Sequence, residues 1–230
     1  MRHRAFAIGS LVATILAIGW MTLQPAPKPQ DRALSSALPD GPLTIVTFGT
    51  SLTAPPQIWP DRLAEALAAC RDTRVGVERV AGPGRGSVWA LGQVAKVVAH
   101  DPDLVLVELA INDADFRDGA SLARGRAQHR GLITGLRGAL PKAQIVLMTM
   151  NPATGLRGWI RPRLAVHYRQ YRDLAAEAET GLIDLYPRWL ALPRGERGLS
   201  ADGLHPDPER AAEIIVPQIV RYLEPFRKCP

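Results

Sequence analysis

Five short apolar runs, each followed by a stretch long enough for a helix, constrain this chain more than any other feature. Residues 43–48, 75–80, 103–110 ("DLVLVELA"), "AQIVLMTM" and "TGLIDLY" have strand length and are rich in Val, Ile and Leu. The third is nearly continuous in apolar residues, which is the pattern of a strand covered on both faces. Helices are expected over 60–70, over 87–100 with Ser87 as N-cap, over about 121–140 and over about 162–179. A last helix is expected from Asp207, its cap, with Pro208 in the first turn and Pro217 kinking or shortening it. Strands that alternate with helices pair in parallel, so the expected fold is α/β, a five-stranded parallel sheet between helical layers. Ligands in such sheets sit beyond the carboxyl ends of the strands.

The N-terminus carries a different signal. Arg2, His3 and Arg4 precede residues 5–23, an uncharged apolar run of 19 residues. As a helix it would reach about 28 Å, close to the hydrocarbon core of a bilayer. Cleaved signals usually have a shorter apolar region, about 7–15 residues. A signal anchor is therefore expected, with the arginines in the cytoplasm, Trp20 near the outer interface and the remaining chain in the periplasm or at the cell surface. A cleaved signal is the alternative; the small-x-small site Ser35-Ser36-Ala37 lies well beyond the apolar run. Residues 24–40 read as a Pro-rich extended tether and 41–230 as one domain.

Composition narrows the partners. The 28 Lys and Arg outnumber 22 Asp and Glu, but only Lys28, Lys96, Lys142 and Lys228 are lysines and the arginines are scattered among acids. No basic cluster suited to nucleic acid results. Two cysteines and dispersed histidines give no metal-ligand spacing, so no metal is expected.

The polar residues after the strands converge. Ser51 follows the first strand in "FGTSLT", Gly84 lies in "AGPGRGS" after the second, and Asn112 in "AINDA" after the third. Asp202 and His205 lie in "DGLHP" before the last helix. A serine hydroxyl becomes a nucleophile when an imidazole takes its proton, and the imidazole needs an acid on its other nitrogen. Asp202 and His205, three apart on one loop, fit that need. The Ser51 amide, the Gly84 amide and the Asn112 side chain would form an oxyanion hole, with Gly82 as the alternative glycine.

These four blocks in this order resemble the SGNH (GDSL-type) hydrolases over about residues 43–225. The resemblance implies a flavodoxin-like three-layer α/β/α fold and cofactor-free hydrolysis of esters or thioesters. It places the nucleophile at Ser51, the triad partners at Asp202 and His205, and the oxyanion groups at Gly84 and Asn112. Thr50 stands where the family often has Asp, Ala110 where it often has Gly, and Arg79 where many members have Asn. The expected substrate is a small-molecule or glycan ester with a short acyl group, or a lipid ester. An O-acyltransferase would use the same acyl-enzyme with a glycan acceptor. A flavodoxin-like module binding phosphate or flavin is the reading from another class, and it leaves "DGLHP" and Asn112 without a purpose.

The loop "NPATGLRGWIRPR" should overhang this edge, and Arg157, Trp159 and Arg161 are candidate substrate contacts, in competition with a plain solvated loop. Cys70 ends the first helix and Cys229 follows the last. In a sheet of this type those helices share a face, so a disulfide is expected at the edge opposite the site. Asp113 and Asp184 read as structural, and His100, His129 and His167 as helix-packing or surface residues. Glu108 is a strand residue to which the sequence assigns no role.

Overall fold

The computed structural model of the chain describes residues 27–224 and Cys229. The anchor expected over residues 5–23 lies outside the described residues. Among the described residues no helix is long and apolar enough to cross a membrane.

The strands β1 (Leu43–Gly49), β2 (Val75–Ala81), β3 (Leu104–Glu108), β4 (Gln144–Thr149) and β5 (Gly181–Asp184) form one parallel sheet in the order β2-β1-β3-β4-β5. Every residue of β3, β4 and β5 is buried, which is why these strands read as apolar runs with polar residues only at their ends. The helices are α1 (Trp59–Arg71), α2 (Ser87–Leu91), α3 (Val94–Val98), α4 (Ala110–Asp113), α5 (Leu122–Ala139), α6 (Gly155–Trp159), α7 (Leu164–Glu177), α8 (Leu185–Ala191) and α9 (Pro208–Leu223). The chain winds outward from β1 to β2, then returns past β1 to begin β3. Right-handed crossovers on either side of that reversal put helices on both faces. One layer pairs α1 with α9; in the other, α2, α3 and α7 pack on α5. The reversal opens a crevice between the carboxyl ends of β1 and β3.

Several expected elements differ in detail. The helix read over 87–100 is two, α2 and α3, because Gly92 ends α2 and donates back to the Trp89 and Ala90 carbonyls. Gly86 takes the N-cap position, and the Ser87 hydroxyl donates instead to Gln128 at 2.7 Å. The helix read over 162–179 is α7, preceded by the separate turn α6. Asp207 does cap α9, accepting from the Arg210 amide at 3.0 Å. Pro217 does not shorten that helix, which runs on to Leu223. Buried Ile214, Ile215 and Val216 before it and Ile219, Val220 and Leu223 after it offset the lost hydrogen bond.

The segment read as a tether is docked in its second half. Arg32 exchanges both backbone hydrogen bonds with Leu182, at 3.0 and 2.9 Å, and so covers the free edge of β5. Asp31 pairs with Arg188 at 2.6 Å, and the Ser35 hydroxyl donates to Gln144 at 2.9 Å. Arg71 bonds the Pro39 carbonyl and pairs with Glu224. Cys70 and Cys229 form a disulfide, with Cα atoms 4.7 Å apart and a sequence separation of 159.

Candidate active site

Four loops meet at the β1/β3 crevice. Ser51 opens the turn after β1, where the Thr53 and Ala54 amides donate to the Thr50 carbonyl. Its Oγ is 2.8 Å from Nε2 of His205, and His205 Nδ1 is 2.6 Å from Oδ2 of Asp202. A carboxylate only accepts, so Nδ1 carries the ring proton and Nε2 is left to accept the serine proton. The other oxygen of Asp202 accepts from the amides of Leu204 and His205 and from the Ser200 hydroxyl, at 2.9, 3.0 and 2.7 Å. Partial burial opposes its charge, but those hydrogen bonds and the one from the His205 ring outweigh it, holding the carboxyl well below the usual range.

The loop bearing His205 is fixed from three sides. The Gln57 side-chain amide donates to the Pro206 carbonyl at 3.1 Å, and Asn151 Nδ2 to the Leu204 carbonyl at 2.7 Å. The Thr154 amide donates to Gly203 at 2.7 Å. Gly203 has φ +74°, and a Cβ there would come within 2.6 Å of the Thr154 carbonyl oxygen, so this close approach requires glycine.

Gly84 and Asn112 face Ser51 across a cleft of about 290 Å³. Gly84 has φ +70°. The Gly82 amide is consumed by the Gly49 carbonyl at 3.1 Å, which leaves Gly84 as the glycine whose N–H is available to the cleft. Asn112 is held at both ends of its amide: Nδ2 donates to the Arg85 carbonyl at 3.0 Å, and Oδ1 accepts from Arg161 at 3.3 Å. One Nδ2 proton remains for the cleft. Next to it, Asp113 accepts from the Ser87 amide at 2.8 Å and joins the second loop to the third.

The candidate substrate loop divides. Arg161, only 5 % exposed, is a structural clamp: it donates to the Ile111 carbonyl at 2.8 Å and pairs with Asp115 at 3.3 Å. Asp115 also holds Arg117, at 2.8 Å. Arg157 lines the cleft, whereas Trp159, 68 % exposed, does not. His129 is buried, between the Gly125 carbonyl and the Tyr171 hydroxyl, and its pKa is lowered chiefly by burial. Among the described residues no His, Cys, Asp and Glu side chains gather in a group that could hold a metal.

Glu108, left without a role by sequence, supports the nucleophile turn. Its Oε1 accepts from the Thr50 amide at 2.6 Å, the Thr50 hydroxyl at 3.0 Å and the Thr53 hydroxyl at 2.7 Å. Complete burial pushes its pKa up to about 7 against those hydrogen bonds. A Cβ on Gly49 would lie 2.2 Å from the same oxygen, so the carboxylate fits only beneath a glycine. Thr50, unlike the Asp frequent at this position, offers that carboxylate a donor. A lone acid at the end of an apolar strand was the signal that could have exposed it.

Such a site can deliver a serine oxygen to a carbonyl carbon and receive the resulting oxyanion on N–H groups from three loops. Residues 46–211 match the GDSL-like lipase/acylhydrolase family. A lipase/acylhydrolase from Enterococcus faecalis has a similar structure, with 25% identity and a TM-score of 0.70 over 82% of this chain and 98% of that one. An acetylxylan esterase from Geobacillus stearothermophilus shares the fold at 19% identity, with a TM-score of 0.66 over 79% of this chain and 94% of its own. TesA does so at 21% identity, with a TM-score of 0.63 over 79% and 98%. No curated protein sequence matches the chain significantly. With a family match that spans most of the domain, the chain belongs to the GDSL-like lipase/acylhydrolase family and is a serine ester hydrolase.

Proposed function

We propose that the protein is an extracytoplasmic esterase that removes short acyl groups through a Ser51–His205–Asp202 triad. The observation that carries this reading is the continuous hydrogen-bonded chain from Ser51 Oγ through the imidazole to Asp202. Ser51 Oγ attacks the ester carbonyl as its proton passes to His205 Nε2. The tetrahedral oxyanion is received by the Ser51 and Gly84 amides and Asn112 Nδ2. On collapse, the bond to the leaving alcohol breaks and His205 returns the proton to that oxygen. Water then attacks the acyl-enzyme with His205 as base, giving the free acid and restoring Ser51. The chemistry balances without a redox or metal cofactor.

The cleft argues for a short acyl group. Only Pro83 and Leu204 among its lining residues are apolar, so a long chain would have little apolar surface to bury. The likeness to an acetylxylan esterase fold adds a carbohydrate alcohol as the leaving group to be tried first. The apolar run over residues 5–23 and the disulfide together favour a location outside the cytoplasm. Retention of the leader as an anchor is favoured because cleavage after Ala37 would also remove Arg32 and expose the edge of β5.

The test is a panel of acetyl, butyryl and longer-chain esters and acetylated glycans, given to the full-length protein and to Ser51→Ala and His205→Ala. Each substitution should lower kcat by about 10³-fold or more. Activity that survives Ser51→Ala would end the triad assignment, and a preference for long chains would end the short-acyl assignment.

A further inference from the structure

Three arginines line the cleft beside Ser51 and His205, and two of them are accounted for. Arg117 and Arg161 share the carboxylate of Asp115, at 2.8 and 3.3 Å. Arg157 is different. Its carbonyl accepts from Arg161, but among the described residues no carboxylate or carbonyl accepts from its guanidinium. Its charge lies close enough to Arg161 to disfavour the second cation. A half-buried cation beside a like charge is unfavourable in the free protein, and an anion in the cleft would relieve it.

The position of Arg157 is set by the catalytic loop. It belongs to α6, whose N-cap Thr154 is bonded through its amide to Gly203, between Asp202 and His205. Two residues on, Trp159 packs edge-to-face on Phe116, with ring centroids 5.5 Å apart and planes at 78°. Both rings are exposed, 68 % and 60 %, and the Phe116 amide donates to the Ile160 carbonyl at 3.0 Å. The short helix α6 therefore carries a cation into the cleft and, two residues on, an exposed apolar face held against Phe116. A flat apolar face suits the C–H side of a sugar ring, and a guanidinium suits a carboxylate.

We propose that Arg157 and the Trp159–Phe116 pair form a leaving-group subsite for an acidic sugar, so that the substrate is an O-acylated glycan bearing carboxylates. This rests on the esterase reading above and deepens it. An anionic phospholipid would satisfy Arg157 as well, but of the side chains lining the cleft only Pro83 and Leu204 are apolar, few for its acyl chains to pack on.

The experiment compares kcat/KM of the full-length protein for O-acetylated oligogalacturonate, O-acetylated xylo-oligosaccharide and phosphatidylglycerol vesicles. The acidic glycan should be preferred over the neutral one by about 10-fold or more, and the preference should shrink with added salt. Arg157→Gln should collapse that ratio, Arg157→Glu should invert it and Arg157→Lys should keep part of it. Trp159→Ala should raise KM for both glycans. An unchanged ratio in Arg157→Gln, or faster hydrolysis of the phospholipid, overturns the subsite while leaving a Ser51-dependent esterase in place. If the neutral glycan and a plain aryl acetate are also untouched by wild type, the esterase reading itself falls and the subsite with it.

Discussion

Arg161 Nη2 lies 3.3 Å from Asn112 Oδ1, and its Nε donates to the carbonyl of the preceding residue, Ile111, at 2.8 Å. This buried guanidinium fixes which way the Asn112 amide faces: the oxygen toward Arg161, the nitrogen toward Arg85 and the cleft. A cation on the oxygen also draws electron density from the amide and strengthens its N–H as a donor.

Arg161→Gln should therefore lower kcat on an aryl acetate with little change in KM. Losing an oxyanion donor outright costs about 10²–10³-fold, so weakening one should cost on the order of 10-fold. Arg161→Lys should recover part of that loss. Steady-state kinetics decide it: a rise in KM at constant kcat would mean that Arg161 binds substrate instead.

Glu108 predicts a pH dependence of stability. Its folded pKa is about 7 and its ordinary value 4.5, so its contribution is fully present below pH 4.5 and is lost as pH rises through 7. The loss amounts to about 3 kcal/mol. Between pH 4.5 and 8.5 wild type should lose about that much unfolding free energy relative to Glu108→Gln, which does not titrate there. Parallel denaturant curves at the two pH values measure it, and a constant difference would refute the assignment.

Gly84→Ala separates conformation from crowding. A Cβ there meets nothing within 4 Å, but φ is +70°. The substitution should cost about 1–2 kcal/mol of stability through backbone strain alone. A backbone that relaxes to escape the strain carries the Gly84 amide away from the cleft, so kcat should fall as well. Thermal melts and aryl acetate kinetics on the same preparation test both.

Truncation tests the docked N-terminal segment. A chain that begins at residue 38 lacks the Arg32–Leu182 backbone pair and the Asp31–Arg188 ion pair. It should be less stable by about 2 kcal/mol or more than a chain that begins at residue 28, and more prone to associate through β5. Melting temperature and light scattering report the two effects. Equal melting temperatures would show that the segment adds nothing.

The sheet was legible because its strands β3, β4 and β5 are buried on both faces, and "DLVLVELA" announces that by itself. The four polar blocks were legible because a parallel sheet delivers its strand ends to one edge, so Ser51, Asn112 and the Asp202/His205 pair meet whatever the intervening sequence. Helix interruptions were less so. Gly92 is compatible with a continuing helix on propensity, and only packing shows that α2 ends there. Arg161 was the least legible. It sits two residues from exposed Trp159 in a loop full of arginines, and its burial depends on Asp115 arriving from the loop after β3 and α4. Glu108 was visible as an acid among apolar residues, but its partners Thr50 and Thr53 come from a turn 58 and 55 residues away.

The Cys70–Cys229 bond divides the chain into a ring and a tail. Under traction applied between the N-terminal end and Cys229, tension passes from residue 70 directly to residue 229. Residues 71–228, with Gly84, Asn112, Asp202 and His205 among them, are shielded inside the ring. Ser51 is not: it lies on the single force-bearing strand of the molecule. A mechanical load on a tethered copy would thus act first on the docked residues 31–36, then on β1 and the turn that Glu108 holds, so the nucleophile would be displaced before the groups that activate it.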